Sequence, residues 1–166
     1  MLKLLGGICI LIACAGLGRM KAAVPEKRQR MLQGVGQGLL ALMREMEYAA
    51  PMSRALRAAA SSAGTAEDIF LAAANAMQNG EGTTAEEAWR SALETQQPDP
   101  KDRALLSIVG DGLGAGELQS QLHALELSRL RIAEAETAAK EEAERYGRVW
   151  KTVGWSCGGI LALLLL

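Results

Sequence analysis

The sequence predicts an all-α membrane protein: a helical bundle domain flanked by an N-terminal and a C-terminal transmembrane helix, with the last helix continuous with the C-terminal span. Three observations lead there. Residues 4–18 and 152–166 carry no charged side chain, whereas the chain between them is polar, alanine-rich and strongly charged. That middle is dominated by Ala, Leu, Met, Glu, Gln, Lys and Arg, the strongest helix formers. Its apolar residues recur at three- and four-residue spacing, and no run alternates long enough to make a strand. A chain of 166 residues suits one domain. The organisation reads as a transmembrane helix over 1–20, a soluble α-helical domain over 26–148 and a second transmembrane helix over 149–166.

The N-terminal run, LLGGICILIACAGLG, spans about 22 Å as a helix. A bilayer core is about 30 Å thick, so the span is short. Met1, Leu2 and Met20, with snorkelling Lys3, Arg19 and Lys21, lengthen it. The C-terminal run is equally short; Val149 and Trp150 extend it, and Trp150 and Trp155 fall where an interfacial aromatic belt sits. A cleaved signal peptide is disfavoured by a weak basic start and the lack of a good cleavage site. Leu11-Ile12-Ala13-Cys14 resembles a lipobox, which leaves a lipoprotein signal as a competing reading. Arg19, Lys21, Lys27, Arg28 and Arg30 follow the first run, and Arg145, Arg148 and Lys151 precede the second. Positive charge stays on the cytoplasmic side, so the domain is expected inside and both termini outside.

In the middle, Pro25 interrupts the chain and a helix is expected over 26–49. Met31, Val35, Leu39, Leu42, Met43 and Met46 give its apolar face. Gly34, Gly36 and Gly38 are costly inside a helix and imply close packing or a bend. Pro51 opens a second helix, with Met52, Leu56 and Ala59 inward. The segment Thr65-Ala-Glu-Asp68 reads as a side-chain-capped start, with Ile69, Phe70, Ala73 and Met77 on the buried face and Asn79-Gly80 as the stop. Thr84-Ala-Glu-Glu87 is a capping box, followed by the face of Trp89, Ala92 and Leu93. Asp99 caps the next helix, with Pro100 at its first position. There Leu105, Leu106 and Val109 pack, and Gly110, Gly112, Gly114 and Gly116 are expected to end it. The last helix begins near Glu117, carries a stripe of Leu118, Leu122, Leu125 and Ile132 with Leu127 and Leu130 beside it, and meets no breaker before Gly147.

Function classes narrow quickly. A net charge of -1 gives no footing for nucleic acid. Cys9, Cys14 and Cys157 all lie in the hydrophobic ends with no paired spacing, so no zinc or redox site is suggested. His123 is the sole histidine; with Glu126 it makes half a metal site at most, and a helix-face role suits it better. No Ser/His/Asp set, phosphate loop or GxGxxG is present, so neither an enzyme nor a bound cofactor is expected. Interaction residues remain. Glu45, Glu47 and Tyr48, beside the corner at Pro51, are candidates for a partner interface, against the reading of a solvated face and a packed corner. Trp89 is a candidate interface anchor, weighed against core packing in a chain with few large residues. Gly154, Gly158 and Ala162 form a small-residue stripe suited to transmembrane helix packing.

The ordered set of pieces resembles the stage III sporulation protein AB family. LMREMEYAAPMSRAL is similar to the family's glutamate-rich helix end followed by Tyr, Pro and a second helix. EEAWRSAL is similar to its central Trp motif, LLSIVGDGLG with QLHALEL to its Leu/Gly segment and the Gln-x-x-His run, and RYGRVWKTVGWSCGGILALLLL to its anchor. Departures are residues 34–38, where longer side chains are expected, and the Gly/Ala content of GDGLGAGEL. The resemblance implies a platform-like subunit of the channel apparatus between mother cell and forespore. It further implies a domain similar to secretion-platform cytoplasmic domains and a place in the mother-cell membrane facing the forespore. Implied partners are a cytoplasmic ATPase, stage III sporulation protein AA, other membrane subunits of the apparatus and the lipid bilayer. The competing class is a membrane-anchored signalling or adaptor protein whose last helix acts as a stalk.

Overall fold

The computed structural model describes residues 26–80, 84–114 and 116–165, with side chains in the last stretch as far as residue 146. Among these residues all regular structure is helical. Helix α1 covers 26–47, α2 Met52–Ser62, α3 Glu67–Asn79, α4 Ala85–Gln96, α5 Pro100–Leu113 and α6 Leu118–Leu165. A 3-10 turn at Gly64–Ala66 joins α2 to α3. The chain forms two compact units, one of Arg30–Glu136 and one holding residues 26–29 and 137–165.

Within the 30–136 unit, α1 buries Leu32, Val35, Leu39, Leu42 and Met46, a stripe of three- and four-residue steps. Leu32 takes the inward place expected for Met31, and Met31 and Met43 are half-buried on the flanks. The facing surface is made of small residues: Ala55, Ala59, Ala60 and Ala63 with Leu56 from α2, and Ala66, Ala73 and Ala74 with Ile69 and Phe70 from α3 and its turn. Small side chains let helix axes approach closely, and the glycines of α1 show how closely. A Cβ on Gly34 would collide with the carbonyl oxygen of Ala63, and one on Gly38 would lie 2.6 Å from the Phe70 ring. Close packing, not a bend, accounts for these two.

The helix ends follow local chemistry. Helix α1 closes with the Ala49 amide donating to the Met46 carbonyl at 3.0 Å and the Ala50 amide to that of Glu45 at 3.1 Å. Ala49 sits at the left-handed position of this Schellman-type end, φ 54°, where glycine is usual. Gly80 takes the same role for α3 at φ 75°. The expected cap at Thr65 is absent: Thr65 lies inside the 3-10 turn, and α3 starts after Ala66 with no side-chain cap, its first-turn Glu67 and Asp68 meeting the helix dipole instead. The capping box of α4 is present, the Thr84 hydroxyl accepting from the Glu87 amide and the Glu87 carboxylate from the Thr84 amide, both at 3.2 Å. Asp99 caps α5 through the Lys101 amide at 3.1 Å, with Pro100 opening the helix.

Gly110 and Gly112 do not end α5, which continues to Leu113. Both are buried: a Cβ on Gly110 would lie 3.1 Å from the Trp89 ring, and one on Gly112 3.3 Å from the Cβ of Ala124. Helix propensity, which favoured a stop, is overridden by packing. In α6 the inward stripe is Leu125, Ser128 and Ile132. Leu118 is exposed, Leu122 half-buried, and Leu127 and Leu130 face outward. The Ser128 hydroxyl donates within its own helix to the Ala124 carbonyl at 2.9 Å.

Helix α6 is unbroken through Gly147 and 48 residues long. Among the described residues, no helix is long and apolar enough to cross a membrane. The expected N-terminal span at 1–20 lies outside those residues, whereas the expected C-terminal span over 149–166 falls on α6 except for Leu166, and the described helix does not support it as a span.

Candidate docking surface

The corner between α1 and α2 exposes its chemistry. Tyr48 is 86% exposed, far more than the other exposed large hydrophobic side chains among the described residues, which lie between 37% and 48%. It follows the Schellman-type end of α1: the chain reverses at Ala49, and Pro51 then leads into α2. Glu47 is exposed beside it, and Glu45, two residues earlier, is half-buried on another side of α1. The two carboxylates therefore do not converge, and the arrangement lacks the facing geometry of an acid/base pair. What it offers is an amphipathic ring flanked by negative charge at the end of a helix.

Trp89 is elsewhere. It is fully buried, so it is a core residue and not an open anchor. Its indole N–H donates to the Leu106 carbonyl at 2.9 Å, and its ring meets Phe70 edge to face at 5.1 Å between centroids. That position ties α4 to α5 and α3, which explains why α5 needs Gly110 opposite it.

His123 is exposed on α6, and Glu126 is committed to Arg129 through two hydrogen bonds of 2.8 and 2.6 Å. Those bonds, slightly opposed by burial and aided by the guanidinium charge, hold the Glu126 carboxyl below its ordinary range. Among the described residues no group of three or more His, Cys, Asp or Glu could hold a metal ion. An open cleft of about 550 Å³ between α4 and α5 is lined by Glu94, Gln97, Pro98, Pro100, Arg103 and Ser107. Its charges answer each other, Arg103 lying 3.8 Å from Glu94. Gly154, Gly158 and Ala162 belong to the part of α6 whose side-chain surroundings lie outside the described residues.

The sequence reading missed two features here. The cleft depends on how α4 and α5 pack and leaves no periodic signal. The outward placement of Leu118, expected in the apolar stripe of α6, was hidden because that end of the helix carries little beyond it to pack against the core.

The family model for stage III sporulation protein AB matches residues 3–166. The chain belongs to the stage III sporulation protein AB family. A family member from Bacillus subtilis (strain 168), described as stage III sporulation protein AB, is 26% identical over 172 residues and aligns along the full length of both chains. A solved stage III sporulation protein AB structure superposes with a TM-score of 0.64 at 21% identity, covering 71% of this chain and 97% of that one. The likeness to that structure speaks for the fold.

Proposed function

We propose that this chain is a non-enzymatic membrane platform subunit of the sporulation apparatus between mother cell and forespore. Its helical domain docks a cytoplasmic ATPase resembling stage III sporulation protein AA, and other membrane subunits of the apparatus surround it. The observation that carries the docking role is Tyr48: a large amphipathic side chain held out at a helix corner beside Glu47, and of a residue type enriched in binding hot spots. Family membership supports the setting. The uncharged runs at 4–18 and 152–166 support anchoring by a helix at each end in the mother-cell membrane facing the forespore. The basic residues flanking both runs support a cytoplasmic domain. In the second span Gly154, Gly158 and Ala162 supply a packing stripe for a neighbouring membrane helix.

The test uses the full chain in lipid nanodiscs and the purified ATPase. Wild-type chain binds, and Tyr48→Ala combined with Glu47→Lys weakens binding at least tenfold while the far-ultraviolet circular dichroism is unchanged. Equal binding by the double variant removes the corner from the interface. No binding by wild type, together with normal sporulation after deletion of the gene, ends the platform reading.

A further inference from the structure

Of the three glycines that interrupt α1, two are explained by the packing of the domain and one is not. Gly34 and Gly38 are each blocked by a neighbour, but a Cβ on Gly36 would meet nothing within 4 Å. Glycine inside a helix costs about 1 kcal/mol relative to alanine. At Gly36 that cost has no return among the described residues: the backbone is helical, its φ is not left-handed, and the space beside it is open.

Gly36 lies on a definite stripe. Gln33, Gly36, Leu40, Met43 and Glu47 follow one another at steps of three and four, so they share one flank of α1, beside the buried stripe of Leu32, Val35 and Leu39. Gln33 and Glu47 are exposed, Met43 is half-buried, and Leu40 is 37% exposed. The missing side chain at Gly36 leaves a notch between Gln33 and Leu40. At the far end Glu45 and Glu47 lie in the last turn of α1, where the helix dipole is itself negative. Glu47 is exposed on this flank and, at that negative end, suits a cation from elsewhere.

We propose that this flank of α1 seats a helix of the docked protein. A large apolar side chain of that helix fills the notch over Gly36 against Leu40 and Met43, and a lysine or arginine about two to three turns along it meets Glu47. Helix-in-groove recognition uses this spacing of anchors, and glycine is the residue that lets another backbone come close. The surface runs on to Tyr48, so the corner and the notch form one continuous docking face. Because a lipid surface would bury Gln33 and Glu47 without partners, a protein helix with its own polar groups is the occupant that fits. The inference rests on the reading that this domain docks the ATPase.

The substitution Gly36→Leu separates folding from docking. In open space on a helix flank it leaves the domain folded and raises its thermal midpoint, since leucine is the better helix former. Full-length Gly36→Leu in nanodiscs then binds the ATPase at least tenfold more weakly than wild type, with Gly36→Ala intermediate. Binding of Gly36→Leu equal to wild type overturns the notch while leaving the Tyr48 corner intact. A Gly36→Leu chain with a lowered thermal midpoint also overturns it, because the glycine then serves this chain's own packing. Absence of binding by wild type removes the ATPase reading and the notch together.

Discussion

Ala49 holds a left-handed backbone, φ 54°, at the end of α1. An L-residue pays about 1–2 kcal/mol for that conformation, and glycine avoids it. The variant Ala49→Gly is therefore expected to stabilise the domain by about 1 kcal/mol, seen as a higher midpoint in chemical denaturation. A lower midpoint would show that the methyl group makes a compensating contact. Glu126 supplies a pH signature. Its folded-state pKa is depressed by the hydrogen bonds from Arg129, so its contribution is present above the ordinary carboxylate range and fades as pH falls through the folded value. Replacing it by glutamine flattens the acid limb of the stability profile, and an unchanged acid limb counts against the pair. The reciprocal effect raises the Arg129 pKa, which stays charged throughout. At this scale the sequence showed which residues were candidates but not how exposed they were. Tyr48 and Trp89 were both interface candidates weighed against packing; the reversal at Ala49 put the first in solvent, and the second lies in the core with its indole N–H on the Leu106 carbonyl.

Of the helix starts with side-chain signals, those at Thr84 and Asp99 were legible and the one read at Thr65 was not. Thr84 with Glu87, and Asp99 with Pro100, cap where the residue types say they should, because these bonds close within one turn and need no tertiary partner. Helix boundaries governed by packing were not. Gly110 and Gly112 look like a stop, yet α5 runs through them because Trp89 and Ala124 occupy the space their side chains would need. The same distance argument sets the contact of α1 with α3. Gly38→Ala places a methyl group 2.6 Å from the Phe70 ring and is expected to destabilise the domain by about 1–3 kcal/mol, measured by thermal or urea unfolding. A neutral outcome would mean that the ring moves aside freely, in conflict with its full burial. Gly38→Ala and Gly36→Ala are thus expected to shift stability in opposite directions, although the two positions lie two residues apart on one helix.

For the whole molecule, the all-α class was readable because propensity and periodicity agree from one end of the domain to the other. The register of α6 was less so: its charged and alanine-rich sequence blurs the apolar stripe, and burial falls on Leu125, Ser128 and Ile132 instead of the longer leucine series. Under the proposed topology, a cysteine introduced at exposed Ser61, in a chain whose native cysteines are replaced by alanine, reacts with a membrane-impermeant maleimide only after the cell is permeabilised. Labelling of intact cells places the domain outside and restores the lipoprotein alternative. Trp89 also makes the domain its own optical gauge. The chain has three tryptophans, and the other two, Trp150 and Trp155, belong to the C-terminal apolar run. Replacing those two by phenylalanine leaves a single indole enclosed by Phe70, Gly110 and the Leu106 carbonyl. Its emission then reports whether α3, α4 and α5 are still assembled, in the intact chain and in the presence of lipid, without any added dye.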